Sequence, residues 1–418
     1  MSVSVKKNNF ATVSTATKTI LPERYIMTSR PDFDRIIERH NSNSYKYDKL
    51  RETFGTTDLL PMWVADMDFA SPNFVLDAIR ARCDHGILGY TLTPKTWSDA
   101  ITSWLYRRHG WTVEGTQLGF IPGIVSGLAL TIQCFTQPGD KVLVQSPVYP
   151  PFLHLPVNNG RELVTTPLVF DGLQFQIDFD DFERKAADCK LFILCNPHNP
   201  GGRVWGVNEL ERLCEICVRN GVLIVSDEIH IDLTLPGYTS HSPGSFTPEI
   251  ASQVITLMAP SKTFNIPGLS SSFYVIQNDR LRKQFKAYLD KAELGMGNLF
   301  AILAAQAAFE HGDAWLDQLL AYLAANIAYV DNALKADMTR IKACIPQASY
   351  LIWLDCRELG LDDEALNAFF IKEAKLGLNP GSSFGVEGSG FMRMNIGCPI
   401  ATVELAMNQL KAAYKARF

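Results

Sequence analysis

The chain has 418 residues, 47% of them hydrophobic, and a formal net charge of −5. That length supports one large domain with a smaller companion. The mild acidity argues against nucleic acid or anionic lipid as a main partner, and no apolar run reaches the ~18 residues of a membrane span.

The first 22 residues are rich in Ser, Thr, Ala and Lys, carry no acid and lack an apolar signal core. Residues 1–30 therefore read as a flexible N-terminal tail; a transit peptide is the alternative, although Arg is missing from those first residues. Residues 31–70 are assigned to the N-terminal part of a small domain. Pro122-Gly123 opens a helix that runs to Phe135, and the Pro138-Gly139-Asp140 turn leads into a strand at Lys141–Gln145. A second strand is Leu191–Cys195. Asn208 is placed to cap a helix that Gly221 ends. Further strands follow at Val222–Ser226, Val254–Met258 and Ser272–Ile276.

These strands are continuous apolar runs, so both of their faces need cover. That predicts an α/β architecture, a mostly parallel sheet with helices on each side, over residues 71–299. From Leu299 to Leu334 an Ala/Leu-rich stretch reads as one long helix. Strands at Tyr350–Leu354 and Phe391–Ile396 and a terminal helix then complete a smaller α+β domain at residues 300–418.

The nine cysteines are odd in number and scattered, with Cys134, Cys195, Cys344 and Cys356 in apolar runs. Reduced thiols in a cytoplasmic protein fit this better than a disulfide framework. Cys214 and Cys217 form a lone C-x-x-C without a second pair or a nearby His, so no metal is expected.

Ligands of open parallel sheets bind at the carboxyl ends of the strands. Three strand ends carry chemistry here. Asn196-Pro197-His198-Asn199 follows Leu191–Cys195. Asp227-Glu228-Ile229-His230 follows Val222–Ser226. Ala259-Pro260-Ser261-Lys262 follows Val254–Met258. Singly, each has a bland reading as a cap, a turn former or a solvated loop residue. Together they are the inventory of pyridoxal 5'-phosphate (PLP) chemistry: an amine for the aldehyde, a carboxylate for the pyridine nitrogen, and backbone donors for the phosphate. Arg393 adds a guanidinium between two Met in an apolar strand, which calls for an anion.

With these residues in place, the sequence resembles fold-type I PLP enzymes, the aspartate-aminotransferase superfamily, and within it the MalY/PatB-type cystathionine β-lyases (C–S lyases). The stretches that carry the resemblance are LPMWVADMDF (60–69), HGILGYT (85–91), PGIVSGL (122–128), QSPVYPPF (145–152), CNPHNPGGRVW (195–205), SDEIHIDL (226–233), APSKTFNIPGL (259–269), ASYLIWLD (348–355) and MRMNIGCP (392–399). The resemblance implies that Lys262 carries PLP as a Schiff base and that Asp227 partners the pyridine nitrogen. Asn199 would face the ring hydroxyl, and His230 would stand where many relatives have a Tyr. Tyr149 would stack on the ring. Gly123, Ile124 and Ser261 would hold the phosphate. Tyr90 would reach the phosphate of a neighbouring subunit, which implies a homodimer with shared active sites. Arg393 would clamp the carboxylate of a small amino-acid substrate.

The implied reaction is β-elimination from an L-cysteine thioether or S-conjugate, giving thiol, pyruvate and ammonia, with Lys262 as catalytic base. Two alternatives remain: an aminotransferase on the same scaffold, and a PLP-binding regulatory protein acting through a protein partner. Ser270 favours the lyase, because many aminotransferases of this superfamily have Arg there. Tyr47 and Pro267 depart from the lyase pattern, which usually has Trp and Ala, and leave substrate preference open.

Overall fold

The computed structural model describes residues 31–418; the expected N-terminal tail lies outside the described residues. Seven strands form the main sheet: β1 (Leu118–Ile121), β2 (Lys141–Ser146), β3 (Glu162–Pro167), β4 (Leu191–Cys195), β5 (Leu223–Asp227), β6 (Val254–Met258) and β7 (Ser272–Val275), in the order β1-β7-β6-β5-β4-β2-β3. Only β7 runs against the others, pairing antiparallel with both β1 and β6. The six remaining strands thus end on one rim.

The apolar runs do what their composition requires. Phe192 and Leu194 of β4 enter one core with Leu143, Ile224 and Trp205. Their neighbours Leu191, Ile193 and Cys195 enter the other, with Val144, Val225 and Ile255. Consecutive residues face opposite sides of a strand, so a run buried throughout needs two cores. Each fully buried Leu, Ile or Phe contributes roughly 1.5–3 kcal/mol. β1 and β3 escaped the sequence reading because neither is a continuous apolar run. β1 contains Gly119, where the Tyr274 ring would lie 2.2 Å from an added Cβ, and β3 reads ELVTTP and is only partly buried.

A second, antiparallel sheet comprises β8 (Lys342–Cys344), β9 (Leu351–Asp355), β10 (Asn379–Pro380) and β11 (Phe391–Asn395), in the order β8-β9-β11-β10. Leu60–Pro61 pairs in parallel with Leu376–Gly377. The chain then runs on past β11, where Asn395 N–H donates to Met62 O at 2.9 Å.

Two expectations need correction. The helix expected to begin at Asn208 spans Val207–Arg219 and is capped at Gly206, whose N–H donates to Glu209 Oε2 at 2.9 Å. Glu209 reaching back satisfies the helix start one residue earlier, so Asn208 falls inside the first turn. The single long helix from Leu299 is two helices, Leu299–His311 and Asp313–Asp337, broken at Gly312. A Cβ at Gly312 would lie 2.3 Å from both the Phe264 ring and Ala308 O, so the chain turns where only glycine fits. Among the described residues no helix is long and apolar enough to cross a membrane, and no cluster of His, Cys, Asp and Glu is arranged for a metal.

Candidate active site

Five strand ends supply the site. Gly123 and Ile124 follow β1, Tyr149 follows β2 and Asn199 follows β4. Asp227 closes β5, with His230 three residues on, and Ser261 and Lys262 follow β6. Strand pairing sets Cys195 opposite Asp227 and Asp227 opposite Leu257, which fixes Asn199, Asp227 and Lys262 side by side along the rim. Two backbone bonds tighten this arrangement: Asn196 N–H to Asp227 O at 3.0 Å, and Tyr149 N–H to Asn199 O at 3.0 Å.

Lys262 is half-buried, and its amine donates to the Ala65 carbonyl, an acceptor shared with the Tyr350 hydroxyl at 2.9 Å. Thr263, next in the chain, is braced by Asp232, which also accepts from Trp104 at 2.9 Å and His109 at 2.7 Å. Burial lowers the Lys262 amine to about 8, and Arg393 adds to this against the opposing pull of Asp66 and Asp227. Asp227 is buried and has no ion pair among the described residues; its side chain accepts from Ile229 N–H at 3.1 Å. Desolvation raises it to about 7. A buried carboxylate so placed is a receptor for a cation. His230 is also buried, with Nδ1 unpartnered among the described residues. Burial, then the charges of Lys262 and Arg393, hold it at about 3, so it is a neutral imidazole.

Arg393 reaches in from the middle of β11. Its guanidinium donates to Asn199 Oδ1 at 3.0 Å, Trp63 O at 3.1 Å and Asn379 Oδ1 at 2.8 Å. None of these acceptors is charged, Nε has no partner, and no salt bridge forms among the described residues. Burial lowers this guanidinium to about 10. A buried cation met only by neutral acceptors is incomplete without an anion. Tyr149 is half-buried beside it, its hydroxyl raised chiefly by burial and influenced by Arg393 and Asp227.

Gly123 caps the 12-residue helix Ile124–Phe135 at φ +106°, and among the described residues no side chain caps that end. An added Cβ at Gly123 would meet nothing within 4 Å. The first N–H groups of a helix without a side-chain cap suit a phosphate. Ser261 lies buried across the rim. Tyr90 stands apart, 97% exposed, in a loop with exposed Ile87, Leu88 and Leu92. Ser270 is exposed, at φ +51°.

Sequence reasoning missed Ala65, Asp66, Tyr350 and Asn379. The first two lie in the VADMDF string, but a backbone acceptor leaves no mark in residue type.

The donor set fits PLP: an amine, an unpaired buried carboxylate and an uncapped helix start, each at its own strand end. Residues 58–410 match the family model for aminotransferase class I and II, and the chain belongs to that family. Within it the chain groups with PatB and MalY. It is 45% identical to cystathionine β-lyase PatB of Bacillus subtilis, over 91% of this chain and 99% of that one. Protein MalY of Escherichia coli is 32% identical, over 92% and 99% respectively. The PLP-bound C–S lyase from Staphylococcus hominis superposes with a TM-score of 0.86 at 35% identity, covering 92% of this chain and 98% of that one.

Proposed function

We propose that the protein is a PLP-dependent carbon–sulfur β-lyase acting on L-cysteine thioethers or S-conjugates of the cystathionine kind. It releases a thiol, pyruvate and ammonia. The observation that carries this reading is a rim that sets the Lys262 amine and the buried, unpaired Asp227 carboxylate at neighbouring strand ends, with Arg393 beside them and no anion on it among the described residues.

Lys262 would hold PLP, Asp227 would face its pyridine nitrogen and Asn199 its ring hydroxyl. Tyr149 would lie on the ring face, and neutral His230 would pack at its edge. Gly123, Ile124 and Ser261 would hold its phosphate. When bound, PLP supplies an electron sink for bond breaking at the substrate α-carbon. Arg393 binds the substrate carboxylate and so orients the Cα–H bond. The Lys262 amine, held near neutrality by burial, accepts the α-proton at Nζ. Expulsion of the β-thiolate follows, and water completes the conversion to pyruvate and ammonia.

A homodimer with shared sites is part of the proposal. The Tyr90 loop is strongly exposed and apolar, as a segment covered by a second copy would be. A cytoplasmic location is supported by nine free cysteines. The smaller domain is taken as residues 31–70 with 300–418, around a large domain at 71–299.

The test is a panel of cysteine S-conjugates assayed for pyruvate and free thiol. Equimolar release supports the lyase. Keto-acid formation dependent on 2-oxoglutarate, without thiol, transfers the protein to the aminotransferases. Capture by a protein partner with no turnover on any conjugate would point to the regulatory role. Lys262→Ala should abolish turnover and the visible cofactor absorbance; a variant keeping both excludes Lys262 as the anchor.

A further inference from the structure

Residues 63–67 cross the site in an unusual way: five consecutive carbonyls each accept a hydrogen bond from a side chain. Trp63 O takes Arg393 at 3.1 Å and Val64 O takes Asn395 at 2.6 Å. Ala65 O takes Lys262 and Tyr350, the latter at 2.9 Å. Asp66 O takes Asn395 at 2.7 Å, and Met67 O takes Asn265 at 2.9 Å and Arg39 at 3.3 Å. The donors come from both sides, Arg393 and Asn395 from β11 and Lys262 and Asn265 from the segment after β6. The strip therefore ties the amine to the guanidinium through carbonyls two residues apart.

A charged clamp holds the strip through Asp66 within it and Asp68 just beyond it. Arg39 meets Asp66 Oδ2 at 2.6 Å and Asp68 Oδ1 at 2.5 Å. Buried Lys46 meets Asp68 Oδ2 at 2.7 Å. Bidentate Arg–carboxylate contacts fix geometry as well as charge, and loss of a buried partner leaves an uncompensated ion.

We infer that Asp66 is a positioning residue for Lys262: gripped by Arg39, it fixes the strip so that the Ala65 carbonyl receives the amine whenever Lys262 is not joined to the cofactor. The inference rests on Lys262 as the cofactor lysine. Asp66 opposes the burial of Lys262 more strongly than Asp227 does, and Arg393 pulls the other way. The other titratable groups facing the amine are neutral: His230 is held low by burial, and the Tyr350 hydroxyl is held high by burial. A parked, correctly aimed amine is ready to receive a proton without searching its rotamers.

The test is competitive acetylation of the full chain prepared without cofactor, with Lys262 modification counted by mass spectrometry across pH. The wild-type midpoint is expected near 8. Asp66→Asn should shift it down by on the order of one unit, so that Lys262 reacts several-fold faster at neutral pH. Asp66→Glu should restore most of the wild-type midpoint. Arg39→Lys keeps the cation but loses the fork that grips Asp66 and Asp68, so it should move the midpoint down part of the way. Asp66→Asn that folds, as judged by its melting curve, yet titrates like the wild type overturns the inference. If that variant does not fold, an unmoved midpoint in Arg39→Lys overturns it equally. A failure of the cofactor reading is separate, because it shows in the absorbance of Lys262→Ala.

Discussion

Arg393 Nη1 donates a 3.0 Å hydrogen bond to Asn199 Oδ1, tying the middle of β11 to the loop after β4. The two residues lie 194 positions apart, so the contact joins the two sheets at the site. Both also serve the proposed chemistry, Asn199 toward the cofactor and Arg393 toward the substrate. A substrate carboxylate arriving at Arg393 would therefore be sensed at the cofactor edge through one amide.

Arg393→Met is expected to lower kcat/KM by roughly 10²–10³-fold, mainly through KM, because truncating one member of a buried charged pair costs several kcal/mol. Arg393→Lys should fall between, since an ammonium cannot reproduce the fork that meets Asn199, Asn379 and Trp63 at once. The control is a thioether substrate with its α-carboxyl amidated. The wild type should prefer the acid strongly, and Arg393→Met should lose that preference. Equal losses on acid and amide would assign Arg393 a structural part instead.

Much of this site could be read from the chain because its chemistry follows buried strands. Asn199, Asp227 and Lys262 each stand just past an apolar run, and apolar runs are the strongest local signal a sequence carries. Arg393 was legible for the converse reason, a charge where the pattern demands an apolar residue. What escaped is equally physical. Ala65 acts through its carbonyl, which every residue possesses. Gly312 interrupts a pattern whose Ala/Leu content is helical on both sides, and the reason is the Phe264 ring, brought there by tertiary packing. β3 is an edge strand with exposed positions, so its composition resembles a loop.

Glu228 yields a prediction about stability. It is buried directly after Asp227, and Oε1 accepts from Ser226 at 2.7 Å and Ser242 at 2.9 Å. Oε2 has no partner among the described residues. Burial raises this carboxyl to about 8 from 4.5. A folded value above the unfolded one means that the native state binds the proton more tightly. The stabilisation is complete below about pH 4.5 and is lost as pH climbs through about 8. Glu228→Gln keeps the size of the side chain and is neutral at every pH. Its gain in melting temperature over the wild type should therefore be larger at pH 8 than at pH 5, while Asp227, present in both proteins, cancels from the difference. A gain independent of pH would show that Glu228 is already ionised in the fold.

Gly312 links the helical region to the lysine turn. Its added Cβ would sit 2.3–2.4 Å from the Phe264 ring and 2.3 Å from Ala308 O. Phe264 is fully buried two residues after Lys262, packed against Trp104 and Trp315 at 5.7 Å each. Gly312→Ala must therefore move either a helix end or that ring, at a cost of about 1–3 kcal/mol. If the ring yields, the displacement passes to the turn that carries Lys262, and PLP binds more weakly as well as the protein melting earlier. Phe264→Leu, which makes room near the ring, should cost stability alone. In combination with Gly312→Ala it should cost less than the two losses added together, because the clash with the ring is removed. Melting curves and cofactor titrations of the four proteins measure this coupling; additive losses would place the strain on Ala308 and leave the lysine turn untouched.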